Sequence, residues 1–138
     1  MSQHFKNYTN VKIVYVDDDV DDRFLFTEVL REIDPDIALH TLTNGQELIN
    51  ELDNIAEQPT LIFLDVNMPG YNGFECLSYI RGKSMYDDIS VYLLSTSATE
   101  KNVETAQNLG ANGYLNKPTS YGDLKTLICN CIESVLST

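Results

Sequence analysis

The stretch Leu61-Ile62-Phe63-Leu64-Asp65-Val66-Asn67-Met68-Pro69 decides the fold. Four apolar residues run directly into a carboxylate, and Pro69 stops any continuation. A short apolar run closed by a turn signal predicts a buried strand. A strand buried on both faces belongs to a parallel sheet covered by helices. Asp65 then stands at the carboxyl end of that strand, the edge where open α/β sheets place their ligand crevices. A carboxylate there is a ligand, a nucleophile or a cap.

The pattern repeats on both sides. Val11 to Val16 is β-branched and aromatic and runs into Asp17, Asp18 and Asp19, which predicts a first strand. Leu25, Phe26, Val29, Leu30 and Ile33 fall at helical spacing, and Asp34-Pro35 ends that helix. Ile37 to Thr41 is a modest strand. Asn44-Gly45 marks a turn before a helix bearing Leu48, Ile49, Leu52 and Ile55. Pro69 to Gly73 has strong turn chemistry, and Phe74, Leu77, Ser78 and Ile80 suggest a short helix before Gly82. Ser90 to Leu94 is a buried strand ending at Ser95. A helix from about Thr99 to Leu109 stops at Gly110, the residue type favoured just past a helix end. Gly113 to Leu115 is a short strand before Asn116-Lys117-Pro118. The last helix runs from Ser120, or Thr119, to about Leu136, with Leu124, Leu127, Ile128, Cys131 and Val135 at helical spacing. Five strands alternate with five helices, which predicts parallel strands with helices on both faces. The 138 residues are expected to form a single domain, 1–138, with a core of about 10–137.

The formal net charge is −12, from 21 acidic and 9 basic residues. Such a balance repels phosphate backbones and anionic lipid, so neither nucleic acid nor a membrane surface is expected as a partner. It suits metal cations and basic protein surfaces. No apolar stretch is long enough to span a bilayer, and Met1 to Asn10 is polar, so the expected location is cytoplasmic. Cys76, Cys129 and Cys131 have no metal-ligand spacing and are expected as free thiols.

Chemistry collects at the strand ends. The first strand ends in Asp17 and Asp18, the third in Asp65, the fourth in Ser95-Thr96-Ser97, and the fifth just before Lys117. In a parallel sheet these ends share one edge. Carboxylates gathered there repel unless a cation sits among them. Oxygen ligands favour Mg²⁺, with Mn²⁺ or Ca²⁺ as substitutes, over zinc. A lysine and a hydroxyl nearby add donors for a phosphoryl group. The set therefore reads as a phosphoryl-accepting site with Asp65 as nucleophile. Singly, each residue has a plainer explanation. Asp19, Asp21 and Asp22 suit a helix start, and Ser97 suits a helix cap. The joint placement at four strand ends favours the site.

At this point the chain resembles the response-regulator receiver domain of two-component signalling, from Val11 through the last helix. The resemblance implies a flavodoxin-like, doubly wound five-stranded sheet in the order 2-1-3-4-5. It implies Asp65 as phosphoacceptor, Asp17 and Asp18 as the acidic pair at the metal, and the Asn67 carbonyl as a further metal ligand. Ser95 and Tyr114 take the switch positions, Lys117 the phosphoryl-binding lysine, and Asn67 and Ser97 the positions that tune dephosphorylation. Pro69 and Gly73 match the following loop, and Lys117-Pro118 the family's lysine and its usually cis peptide. The spacings of 30 from Asp65 to Ser95 and 22 from Ser95 to Lys117 keep the family's register.

The implied function is a Mg²⁺-dependent phosphoacceptor, not a turnover enzyme. It would receive its phosphoryl group from a sensor histidine kinase or histidine phosphotransfer protein. The surface of helix four, strand five and helix five would then signal to a downstream protein target. A phosphorylation-independent docking module, including a homodimer through the last helices, is the alternative. A phosphate-ester hydrolase fits less well, because Asn67 stands where a second acid/base carboxylate belongs.

Overall fold

The computed structural model describes residues 10–136. The polar segment 1–9 and residues 137 and 138, which the sequence reading includes in the domain, lie outside them. The elements run β1 (Lys12–Val16), α1 (Val20–Ile33), β2 (Ala38–Leu42), α2 (Gly45–Asn54), β3 (Leu61–Asp65), α3 (Gly73–Arg81), β4 (Ser90–Ser95), α4 (Glu100–Leu109), β5 (Gly113–Asn116) and α5 (Tyr121–Leu136). A short 3-10 turn at Ser84–Tyr86, which the sequence reading does not include, lies between α3 and β4. The second strand begins and ends one residue later than expected.

Among the described residues the four strand pairings are parallel, and the order is β2-β1-β3-β4-β5. The chain thus has the flavodoxin-like arrangement. Alternation along each strand divides two cores. Val14, Val16, Ile62 and Leu64 face α2, α3 and α4 through Leu48, Leu52, Leu77, Ile80 and Ala106. Ile13, Tyr15, Leu61 and Phe63 face α1 and α5 through Phe26, Val29, Leu30, Leu124, Ile128 and Ile132. Every residue of β3 is buried, which is why its sequence is a continuous apolar run rather than an alternating one.

The helix ends follow local chemistry. Asp19 caps α1 by accepting from the N–H groups of Asp21 and Asp22. Asn72 and Glu75 form a reciprocal capping box on α3. The α4 cap is Thr99, whose Oγ1 accepts from Asn102 N at 3.2 Å. Ser97, the residue expected to cap it, is engaged elsewhere. Gly110 ends α4 at φ 94°, in the left-handed region where a side chain is strained. Ser120 Oγ accepts from Asp123 N at 3.1 Å and starts α5. No helix among the described residues is long and apolar enough to cross a membrane. Cys76, Cys129 and Cys131 are free thiols.

Candidate functional site

Strand register assembles the site. Val16 is opposite Leu64, so the next residues, Asp17 and Asp65, stand side by side. Asp65 pairs with Leu94, which places Ser95 one residue beyond it. Ser95 pairs with Asn116, and Lys117 N bonds to the Ser95 carbonyl at 2.8 Å. Four separate strands therefore bring Asp17, Asp65, Ser95 and Lys117 to one edge. Among the described residues, the buried polar or charged side chains are Asp17, Asp65 and Ser95. Buried polar groups are costly unless partnered. Here all of them stand at the carboxyl ends of β1, β3 and β4.

Asp17 is wholly buried and densely bonded. Its Oδ2 accepts from Tyr15 Oη at 2.5 Å and pairs with Lys117 Nζ at 2.7 Å. Its Oδ1 accepts from Asp19 N at 2.9 Å. Arg23 donates to the Asp17 backbone carbonyl at 2.7 Å. The Tyr15 ring stacks on Phe26 with centroids 4.1 Å apart, which fixes the hydroxyl's direction. Burial, and then the bond to Asp17, push the Tyr15 pKa far up, so it remains a donor.

Lys117 faces three carboxylates: Asp17 and Asp22 at 2.7 Å each, and Asp65 at 3.7 Å. Burial works against its charge, yet the bonds to Asp17 and Asp22 outweigh it and push its pKa up. It stays an ammonium. Asp65 is the strained member. Burial, and then the charge of Asp17, push its carboxyl up to about 6, against the opposing pull of Lys117 and a hydrogen bond from the Asn67 backbone. Oxygens of Asp17, Asp18 and Asp65 lie within 4.8 Å of one another. Asp18 is exposed, so water reaches the group from its side. One ammonium leaves this set with excess negative charge. An all-oxygen donor set with an open side fits a hard divalent cation.

Ser95 and Tyr114 meet at one backbone group. Ser95 Oγ donates to the Ser97 carbonyl at 3.1 Å and accepts from Ser97 N at 3.0 Å. Tyr114 Oη donates to the same carbonyl at 2.9 Å. The Tyr114 ring also lies parallel to Phe74, with centroids 6.2 Å apart. Asn67 is exposed at the mouth of the site. The Lys117–Pro118 peptide is trans, where the resemblance implies a cis bond.

Gly73 lets α3 approach this edge. A Cβ there would come within 2.9 Å of the Asp65 carbonyl oxygen and of Val66 Cα. Its own N–H bonds to the Val66 carbonyl at 3.1 Å, tying α3 to the end of β3.

Tyr15, Asp22 and Arg23 also belong to the site and are not among the residues expected from the sequence. Tyr15 is detectable, because residues two apart on a strand share a face. Asp22 is absorbed into the helix-start explanation, which is true of its position but not of its side chain.

Comparison with known proteins adds the lineage. The response regulator receiver domain model matches residues 13–129. The chain is 30% identical over 128 residues to a chemotaxis protein CheY homolog of Campylobacter jejuni, covering 93% of this chain and 94% of that protein. It is 42% identical over 91 residues to the nitrate/nitrite response regulator NarL of Escherichia coli, covering 65% of this chain. It spans only 40% of the length of NarL and 36% of a Clostridium acetobutylicum protein-glutamate methylesterase/protein-glutamine glutaminase. Among solved structures, it is similar to the phosphorylated cyanobacterial phytochrome response regulator RcpA, with a TM-score of 0.83 and 30% identity over 92% of this chain and 94% of that one. The Mn²⁺-bound form of response regulator Rcp1 aligns with a TM-score of 0.78 and 32% identity, over 90% of this chain and 92% of that one.

Proposed function

The chain belongs to the response regulator receiver domain family, and from that premise we propose that it is a phosphoacceptor switch with Asp65 as nucleophile. One observation carries the reading. The buried carboxylate of Asp65 stands next to Asp17, with the Lys117 ammonium 3.7 Å away and a hard-cation donor set around it.

Asp65 attacks the phosphorus of a phosphohistidine on a sensor histidine kinase or histidine phosphotransfer protein. The new bond is carboxylate O–P, the bond broken is N–P, and its electron pair returns to the imidazole. Lys117 pairs with a phosphoryl oxygen, and Ser95 turns its hydroxyl from Ser97 to another. Water attack on phosphorus later releases phosphate and restores the carboxylate, with Asn67 and Ser97 flanking the water's path. Mg²⁺ held by Asp17, Asp18, Asp65 and the Asn67 carbonyl would neutralise charge on the transferring group. Asp17, already saturated with donors, suits a role through water, and exposed Asp18 a direct one.

The released Ser97 carbonyl loses one of its two hydroxyl donors. Tyr114 and the loop before α4 then settle into a second packing, and the surface of α4, β5 and α5 changes for a downstream protein. The phosphoryl group is stored rather than turned over. This is the chemistry of a single receiver unit working in the cytoplasm, with neither nucleic acid nor membrane as its direct partner.

Intact mass after incubation with Mg²⁺ and acetyl phosphate tests the reading. One added phosphoryl group is expected on the wild type and none on Asp65→Ala. No added mass on the wild type, or equal labelling of both, overturns it.

A further inference from the structure

Lys117 has three N–H donors and three carboxylate neighbours, two of them close and one further off. Its two short partners differ sharply. The Asp17 side chain is 0% exposed, whereas that of Asp22 is 36% exposed. Pulling Lys117 from Asp17 would leave a buried charge uncompensated, which is expensive. Pulling it from Asp22 returns a carboxylate to water, which costs little. Asp65 waits further off than either, at 3.7 Å against 2.7 Å. When a phosphoryl group forms on Asp65, the bond that yields is therefore the one to Asp22.

We propose that Asp22 is a positioning residue that holds Lys117 off Asp65 until a phosphoryl group arrives. The lysine exchanges an Asp22 oxygen for a phosphoryl oxygen, and the exchange links the site to the first turn of α1. Asp22 lies outside the oxygen cluster of Asp17, Asp18 and Asp65; it acts through Lys117. Its place in the chain supports this. Asp19 already satisfies the exposed N–H groups of the turn, accepting from Asp21 N at 2.8 Å and Asp22 N at 3.2 Å. The Asp22 carboxylate is left free to reach across to the residue after β5. The inference rests on the reading of Asp65 as phosphoacceptor.

Phosphorylation rates with acetyl phosphate and Mg²⁺, followed over donor concentration, test it. Asp22→Asn is expected to raise the rate at low donor roughly two- to fivefold, the range of a half-exposed ion pair. Asp21→Asn removes an equal charge from the same turn and is expected to change it by less than half as much. Asp22→Glu, which can still hold the lysine, should behave as wild type. In a Lys117→Met background the Asp22→Asn effect should vanish, which a merely structural or long-range charge role would not produce. The proposal is overturned if Asp21→Asn matches Asp22→Asn, or if the effect survives without Lys117. A wild type that takes no phosphoryl group would instead overturn the underlying reading.

Discussion

Tyr114 donates its hydroxyl to the backbone carbonyl of Ser97 at 2.9 Å, so a β5 side chain is tied to the loop that follows β4. Because Ser95 Oγ bonds to the same carbonyl, the loop is shared between the site and the outer surface. Tyr114→Phe removes one of the two donors while keeping the ring on Phe74. The expected result is a loss of about 0.5–1 kcal/mol in urea denaturation. Acetyl phosphate should still label Asp65. Amide exchange in α4 should become insensitive to phosphorylation, and an unaltered response would remove Tyr114 from the switch.

Tyr15 and Asp17 make a different kind of pair, because both are buried. Tyr15→Phe deletes the 2.5 Å bond and leaves the buried Asp17 side chain one donor short. Destabilisation of about 1–3 kcal/mol is expected, larger than for Tyr114→Phe because no water replaces the donor. Denaturation midpoints of the two variants, measured together, check the ranking.

How much of this is legible in the sequence depends on what each residue interacts with. Leu61 to Leu64 declare a doubly covered strand because burial on both faces leaves no alternating pattern. Asp17, Asp65, Ser95 and Lys117 can be gathered from their places in the chain alone, because parallel strands put all their carboxyl ends on one edge. The Lys117–Asp22 pair leaves no such trace. It joins residues far apart in the chain, and its existence depends on side-chain reach across the top of the sheet. The α4 cap falls at Thr99 rather than Ser97, although both residues are chemically able to cap. Only the path of the loop, drawn toward Ser95 and Tyr114, decides between them.

The Asp65 carboxyl gives the metal-free protein a defined pH response. Its folded-state pKa is about 6 against an ordinary 3.8. The folded chain therefore holds the Asp65 proton more tightly than the unfolded chain does. This group's contribution to stability is fully present below about pH 4 and declines as pH rises toward 6. Above that the loss is complete, on the order of 3 kcal/mol. Asp65→Asn should accordingly be more stable than wild type at about pH 7.5 in the presence of a chelator, and the two should converge near pH 4. Urea midpoints across that range check it. A less stable Asp65→Asn at the upper end would show that the buried charge is not strained.

A divalent cation should reverse that penalty. Binding to the native state alone stabilises by about 2.7 kcal/mol at a hundredfold excess over Kd. Mg²⁺ or Mn²⁺ is expected to raise the wild-type midpoint and to leave Asp65→Asn nearly unmoved. Asp18→Asn separates the two effects. Asp18 is exposed, so its loss should change the chelated protein little while abolishing most of the metal-induced shift. A full metal response in Asp18→Asn would take this residue out of the ligand set.

Gly73 tests whether the α3 junction holds Asp65 in the position that the proposed phosphoryl transfer needs. A methyl group at this point meets the Asp65 carbonyl oxygen and Val66 Cα at 2.9 Å, and both are backbone atoms that cannot swing aside. Relief requires α3 to lift from the end of β3, which strains the Gly73 N–H bond to Val66. Overpacking of this kind costs about 1–3 kcal/mol. The displacement also moves the β3 terminus against Asp17 and Lys117, whose positions are set by other strands. Gly73→Ala should therefore lose stability and, where still folded, phosphorylate more slowly than wild type. Gly122→Ala, whose added methyl meets nothing within 4 Å, should do neither. Circular dichroism on both variants, followed by phosphorylation kinetics below the unfolding transition, separates the two losses. An unchanged rate in folded Gly73→Ala would mean that the α3 junction does not position the carboxylate.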